Sequence, residues 1–302
     1  MKVIITGGTG MIGRALAREL VDNDHSVFIL TRTPHLVKNL PPGVEALGWD
    51  SSTAQGWDHL VDGDTAIVNL AGANVAAGRW TAARKQEILQ SRVEAGQAVV
   101  QAVEAASAKP AVVIQSSAVG YYGPSSDPRL TEKAPPDDDF LARVCVEWEA
   151  STAPVEAMGV RRAIIRTGIV LSAKDGALPR MLLPFKLFIG GPLGTGRQGF
   201  PWIHLADEVA AIRFLLEQPQ ASGAFNLAAP NPLSNADFGR ALGRVLRRPA
   251  IVPTPALPLK LAFGEMASVL LEGQYAVPHR LQELGFQFRF SQAEAALQDL
   301  LR

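Results

Sequence analysis

Gly7, Gly10 and Gly13 stand three residues apart in Thr6-Gly7-Gly8-Thr9-Gly10-Met11-Ile12-Gly13, directly after the apolar run that opens the chain. This spacing suits a dinucleotide pyrophosphate. Gly7 allows a tight turn, Gly10 lets the backbone approach the phosphates, and Gly13 brings the next helix close to its strand. Thr9 sits in the turn, and Met11 and Ile12 open a helix whose first N–H groups and partial positive charge face the anion. Three glycines alone are weak evidence, but a strand before them and a helix after them supply the context the motif needs.

The second apolar run ends Leu30-Thr31-Arg32-Thr33. An NAD site places Asp or Glu there to accept from the ribose 2′-hydroxyl. No carboxylate occurs between Asp24 and Glu45. Arg32 would instead meet a 2′-phosphate as a guanidinium, with Thr31 or Thr33 able to donate beside it. The expected cofactor is therefore NADP(H). The competing reading of Arg32 is a solvated surface charge.

Short apolar runs position these residues: Val3 to Thr6, Ser26 to Leu30, Val44 to Leu47, Thr65 to Leu70, Ala111 to Gln115 and Ala163 to Leu171. Helix-period patterns lie between them, with Leu16 and Leu20 facing a sheet in the first. Alternation of this kind predicts parallel β-α-β units, and strands apolar on both faces predict helices on both sides of the sheet. The predicted fold class is α/β, a Rossmann-type doubly wound parallel sheet with a smaller, mostly helical C-terminal substrate lobe. Proline and glycine become frequent after Leu171. We assign 1–175 to the dinucleotide-binding domain, completed by 203–228, and 176–202 with 229–302 to the smaller lobe.

The 302 residues carry 29 Lys plus Arg against 29 Asp plus Glu, so no net charge is available to grip nucleic acid or an anionic membrane. Cys145 is the single cysteine, which excludes an internal disulfide and fits a reducing compartment. No apolar run approaches the length of a membrane span. These features predict a cytoplasmic protein with a small-molecule substrate, and they favour no particular oligomeric state.

The glycine turn, Asn69-Leu70-Ala71-Gly72, Ser116-Ser117-Ala118, Tyr121-Tyr122-Gly123 and Trp202-Ile203-His204-Leu205-Ala206-Asp207 together resemble the extended and atypical branch of the short-chain dehydrogenase/reductases. The likeness is to its epimerase/dehydratase-like "epimerase family proteins", and it runs through Gly190-Gly191-Pro192 to Leu284-Gly285-Phe286. It implies NADP(H) binding, in agreement with Arg32. It also implies that Asp50 flanks the adenine, that Leu70, Ala71 and Gly72 line the cofactor's ribose and pyrophosphate, and that the segment after Gly168 approaches the nicotinamide. Ser117 fits the serine of the family best.

The chain departs from the family's chemistry in one respect. Members with established reactions carry Tyr and Lys four apart on the helix after the fifth strand, where Lys lowers the phenol's pKa. Here that helix reads Phe140-Leu141-Ala142-Arg143-Val144-Cys145-Val146-Glu147-Trp148-Glu149, and no Tyr-x-x-x-Lys occurs anywhere in the chain. A phenol of pKa about 10 is ionised roughly one part in a thousand at pH 7, about 4 kcal/mol short of a ready base. A neutral phenol can still donate a proton to a carbonyl, so Tyr121 or Tyr122 beside Ser117 makes reduction easier than oxidation. The candidate catalytic residues are Ser117, Tyr121 and Tyr122. The activity is then that of an oxidoreductase or a nucleotide-sugar-epimerase-like enzyme on a carbonyl or hydroxyl substrate. The alternative is a non-catalytic NADPH sensor or regulator, and a flavodoxin-like domain without dinucleotide would require accidental glycines.

Other groups read as structural. Cys145 between two valines fits a small core residue, and the five histidines lack ligand-pair spacing, so no metal is expected. Asp137-Asp138-Asp139 suits a helix N-terminus. Gly190 to Gly199 lacks a Gly-Lys-Ser/Thr ending and reads as a mobile rim over the cleft rather than a phosphate loop. Arg79, Trp80 and Arg92 could reach an anionic ligand, and His204 with Asp207 fits a hinge to the second lobe.

Overall fold

The protein is described by a computed structural model covering every residue except Asn39, Pro128 and Arg302. Its strands are β1 (Lys2–Thr6), β2 (Ser26–Thr31), β3 (Val44–Gly48), β4 (Thr65–Asn69), β5 (Val112–Ala118) and β6 (Arg161–Thr167), then β7 (Ile169–Leu171), β8 (Gly199–Phe200), β9 (Trp202–His204), β10 (Gly223–Leu227) and β11 (Leu233–Ser234). Seven of them form one parallel sheet in the order β3-β2-β1-β4-β5-β6-β10. The direction of winding reverses between β1 and β4. At such a point the connections leave in opposite directions and open a crevice at the carboxyl ends of the strands.

Helices α1 (Met11–Val21), α2 (Ala82–Ala105), α3 (Phe140–Ser151), α4 (Pro154–Ala157), α5 (Leu178–Lys186) and α6 (Leu205–Glu217) accompany the sheet and its first excursion. Val3, Ile5, Val27, Ile29 and Ile165 pack on one face against Leu16 and Leu20 of α1 and Ile212 and Leu215 of α6. Ile4, Leu30, Ile67 and Val113 pack on the other against Val99 and Val103 of α2. Successive strand residues point to opposite faces, so both must be apolar when helices cover both sides.

The extended run predicted from Ala163 to Leu171 is two strands rather than one. Gly168 N–H donates to the Leu227 carbonyl (2.9 Å) and Ile169 N–H to that of Pro201 (2.6 Å). A Cβ at position 168 would lie 2.1 Å from the Pro201 oxygen. Only glycine fits this crossing, where the chain leaves the main sheet and β7 pairs with β9.

The C-terminal region adds α7 (Asn235–Leu246), α8 (Ala256–Phe263), α9 (Ser268–Leu271), α10 (His279–Glu283) and α11 (Ala293–Leu301). Phe185, Phe200, Trp202, Phe238, Phe290 and Leu297 give it a separate apolar core. The glycine-rich 190–199 segment is pinned rather than a free rim. Val252 N–H donates to Gly190, Gly194 N–H to Thr254, and Thr254 N–H to Pro192. His204 caps α6, accepting from Ala206 N–H at 3.0 Å, and both Asp207 oxygens accept backbone N–H groups of Arg289 (2.7 Å) and Phe290 (2.9 Å). The Asp207 bonds tie the tail to α6. Among the described residues, no helix is long and apolar enough to cross a membrane.

Candidate functional site

The glycine turn forms an open cradle at the β1–β4 crevice. Gly7 has φ of +67°, and a Cβ there would lie 2.8 Å from the Leu70 oxygen. A Cβ at Gly13 would lie 2.5 Å from the Gly7 oxygen and 2.6 Å from Gly8 Cα. Glycine at 13 therefore sets how closely α1 approaches β1. Gly10 is the N-cap of α1 and provides no side-chain cap, so the N–H groups that begin at Met11 and Ile12 remain available to an anion. Thr9 lies half-buried on the same turn.

Thr6 holds the opposite wall. Its hydroxyl donates to Asn69 Oδ1 (2.6 Å) and accepts from Leu70 N–H (3.1 Å) and Ala71 N–H (3.2 Å). Gly72 lies against Arg92, whose guanidinium carbon would be 2.9 Å from a Cβ there. Arg92 is buried and donates to the Ala73 and Ile88 carbonyls, so it braces this loop and does not reach outward.

Arg32 follows β2, is exposed, and forms no ion pair among the described residues. Thr31 is buried and its hydroxyl accepts from Thr33 N–H at 3.3 Å. Asp50 spends its carboxylate on its own loop, accepting from Ser52 N–H and Thr53 N–H at 2.8 Å and from the Thr53 hydroxyl at 2.7 Å. These bonds, that from Ser52 N–H first, hold its carboxyl below the ordinary aspartate value. A cradle that a Cβ would fill, an uncapped helix and an unpaired guanidinium beside them fit a phosphorylated dinucleotide.

At the carboxyl end of the sheet, Ser117, Arg166 and Asn226 lie abreast in register on β5, β6 and β10. Glu149 of α3 caps this row from above. Ser117 Oγ donates to Glu149 Oε1 (2.7 Å), while Arg166 donates through Nε to Oε1 (2.8 Å) and through Nη2 to Oε2 (2.9 Å). Arg166 Nη1 also donates to Tyr122 Oη (3.0 Å), and that hydroxyl donates to Asn226 Oδ1 (2.7 Å). Asn226 Nδ2 in turn donates to the Leu130 and Val277 carbonyls. All five side chains are buried.

Electrostatics follow from that burial. Desolvation pushes the Tyr122 phenol up to about 12 against the pull of Arg166, so it is neutral at pH 7. Burial opposes the charge on Arg166, but Glu149 and Tyr122 more than offset it and the guanidinium stays protonated. Tyr121 differs from its neighbour. Its half-buried ring lies over the Arg166 guanidinium, 3.4 Å from centroid to Cζ, and its hydroxyl has no partner among the described residues. Cys145 is buried and its thiol is pushed up to about 11, chiefly by desolvation, which leaves no thiolate for chemistry.

Glu208, on the first turn of α6, is fully buried. Thr167 Oγ1 donates to its Oε1 (2.8 Å), and Oε2 has no partner among the described residues. Desolvation raises its carboxyl from 4.5 to about 8. A carboxyl raised on folding favours the native state below its unfolded pKa and loses that contribution as pH rises through its folded one. Stability is therefore expected to fall between about pH 4.5 and 8. Glu208→Gln should flatten that fall by an amount on the order of a few kcal/mol, read from urea denaturation midpoints across the range. Identical pH profiles for the two proteins would contradict the assignment.

A family profile described as NAD dependent epimerase/dehydratase family matches residues 3–228, and a domain of unknown function, DUF1731, matches residues 254–300. The Arabidopsis thaliana chloroplastic epimerase family protein SDR39U1 homolog is 40% identical over 304 residues, covering 100% of this chain and 87% of that protein. The chain belongs to the NAD dependent epimerase/dehydratase family. The crystal structure of human epimerase family protein SDR39U1 (isoform 2) with NADPH superposes at TM-score 0.89 with 36% identity, covering 99% of both chains. A nucleoside-diphosphate sugar epimerase from Corynebacterium glutamicum matches at TM-score 0.76 and 34% identity, over 100% of this chain and 58% of that one.

Within this epimerase/dehydratase fold, the structure brings Ser117, Tyr121 and Tyr122 into one cluster. Glu149, Arg166 and Asn226 complete it and were not singled out from sequence. A signal for two of them existed: Arg166 ends Ala163-Ile164-Ile165 and Asn226 interrupts Phe225 and Leu227. A charged or amide group inside an apolar strand is buried and must find a partner. Among the described residues, no group of three or more His, Cys, Asp or Glu could hold a metal ion.

Proposed function

We propose that this protein binds NADP(H) and reduces a small carbonyl compound, with Tyr121 donating the proton. Arg32 carries the reading. It stands exposed, with no ion-pair partner among the described residues, where the second strand meets the glycine cradle, and an arginine there pairs with a 2′-phosphate that a carboxylate would repel. The NADPH named with the human relative supports it. When bound, the reduced cofactor supplies a hydride.

The chain's own residues supply position and a proton. Gly7, Gly10 and Gly13 admit the pyrophosphate, and the first N–H groups of α1 neutralise it. Glu149 fixes Arg166, whose guanidinium holds the ring of Tyr121 by its face. Tyr121 Oη has no partner among the described residues and can give its proton to a carbonyl oxygen, whereas Tyr122 Oη is engaged by Asn226 and Arg166. Tyr122 at about 12 is a poor base, so interconversion through proton removal from a hydroxyl ranks below reduction. A single buried cysteine suits a reducing compartment such as the cytoplasm.

Fluorescence titration with NADPH and NADH tests the cofactor, and a panel of aldehydes, ketones and quinones with NADPH consumption as readout tests the reaction. Tyr121→Phe is expected to lower turnover about a hundredfold at unchanged NADPH affinity. Undiminished turnover in that variant would remove Tyr121 from the reaction. A second reading, a cofactor-binding regulator, is favoured by the internal engagement of Ser117 and Tyr122. Tight NADPH binding with no turnover across the panel would select it.

A further inference from the structure

The balanced total charge of the chain conceals a local imbalance. Residues 176–206 carry three Lys or Arg, residues 238–264 carry five, and neither stretch holds an Asp or Glu. The fold lays the two side by side. Val252 N–H donates to the Gly190 carbonyl (3.1 Å), Thr254 N–H to that of Pro192 (2.9 Å) and Gly194 N–H to that of Thr254 (2.9 Å), and the Arg248 guanidinium lies over the Phe188 ring at 4.4 Å. The carboxylates that bound the two stretches are already engaged. Asp175 pairs with Arg14, Asp237 with Arg240 and Glu265 with Lys85, while Asp207 accepts from the backbone of Arg289 and Phe290. Arg180, Lys186, Arg247, Arg248 and Lys260 are exposed and form no ion pair among the described residues.

The same surface is apolar. Leu183, Leu187, Phe188, Ile189 and Ile251 each expose more than half of their surface, as do Leu257 and Leu261, one turn apart on α8. Isolated exposed leucines are ordinary, but these run along the end of α5, the turn after it and the segment that this turn pairs with. Seven half-exposed side chains amount to on the order of 700 Å², more than the roughly 300–600 Å² of the largest patch on an ordinary monomer. α8 holds three leucines and a phenylalanine in eight residues and contributes no buried residue to the core. An apolar helix normally buries the face that makes it apolar.

Charge and shape select the occupant. A second copy of this chain would set cations against cations across a two-fold axis, with no carboxylate on the face to relieve them. A folded protein partner anchors its side chains in pockets, and residues that project by more than half of their surface make poor walls for one. A bilayer needs no such fit, because apolar tips enter the acyl boundary while the stems of Lys and Arg reach up to anionic headgroups. We infer that the face made by the end of α5, residues 187–190, residues 247–252 and α8 docks on an anionic lipid surface and holds the protein there without spanning it.

The test is sedimentation of the full-length protein with vesicles of phosphatidylcholine alone and of phosphatidylcholine mixed equally with phosphatidylglycerol, at about 0.1 M salt. Binding to the anionic vesicles is expected to exceed that to the neutral ones at least tenfold and to weaken as salt rises. Lys186→Gln combined with Arg248→Gln should weaken anionic-vesicle binding about tenfold or more, and Leu187→Ser combined with Ile251→Ser by a similar factor. All four side chains are exposed, so both double variants should keep the melting temperature of the unaltered protein. In Ile251→Trp, brominated lipid should quench more fluorescence than in the unaltered protein. Absent sedimentation with anionic vesicles, equal sedimentation with neutral ones, or folded double variants that bind undiminished overturn the inference. Retention on a poly-glutamate resin without vesicle binding overturns it in favour of an acidic protein partner.

Discussion

Glu149→Ala is expected to destabilise the protein by about 3–5 kcal/mol, because it strips a buried guanidinium of its bidentate partner. Arg166 and Glu149 expose only 6% and 11% of their side chains, so water cannot replace the lost bonds. The loss also releases the Ser117 hydroxyl, whose only acceptor among the described residues is Glu149. The melting temperature should fall by on the order of 10 °C in calorimetry. Removing both charges together, as Glu149→Leu with Arg166→Met, should cost less than the single change, since replacing a buried pair leaves no stranded ion. A single variant that melts with the unaltered protein would show that the pair is not what holds β5, β6 and α3 together.

Arg32→Asp should reverse the choice of coenzyme. A guanidinium on a phosphate monoester makes charge-assisted hydrogen bonds of about 1.5–3 kcal/mol each, and a carboxylate in its place adds repulsion. NADPH affinity is expected to drop by about two to three orders of magnitude, while the new carboxylate can accept from the 2′-hydroxyl of NADH. The variant should keep its melting temperature, because the exposed Arg32 side chain has no ion-pair partner among the described residues. Salt should weaken NADPH binding to the unaltered protein more than NADH binding, since only the former includes that contact. Equal affinity for both coenzymes in the unaltered protein, or a variant with preference intact, would contradict the role of Arg32.

The tyrosine pair shows where residue-by-residue reading stops. Tyr121 and Tyr122 are adjacent and chemically alike in sequence, yet one hydroxyl is bonded on both sides and the other has no partner among the described residues. The difference comes from Asn226, which reaches the row only because β10 returns to pair with β6. Asp50 is a similar case. The Ser52 and Thr53 donors that engage its carboxylate come from the fold of its own loop.

Glycine spacing, the arginine after the second strand and apolar runs without alternation were enough to announce a doubly wound dinucleotide fold, because each reflects local geometry or which faces are buried. Gly168, the Ser117–Glu149–Arg166–Tyr122–Asn226 network and the joining of two acid-free stretches into one face needed the folded chain. Their causes are a Pro201 carbonyl, strand register and crossings between segments far apart in sequence, and such contacts exist only once the sheet is assembled.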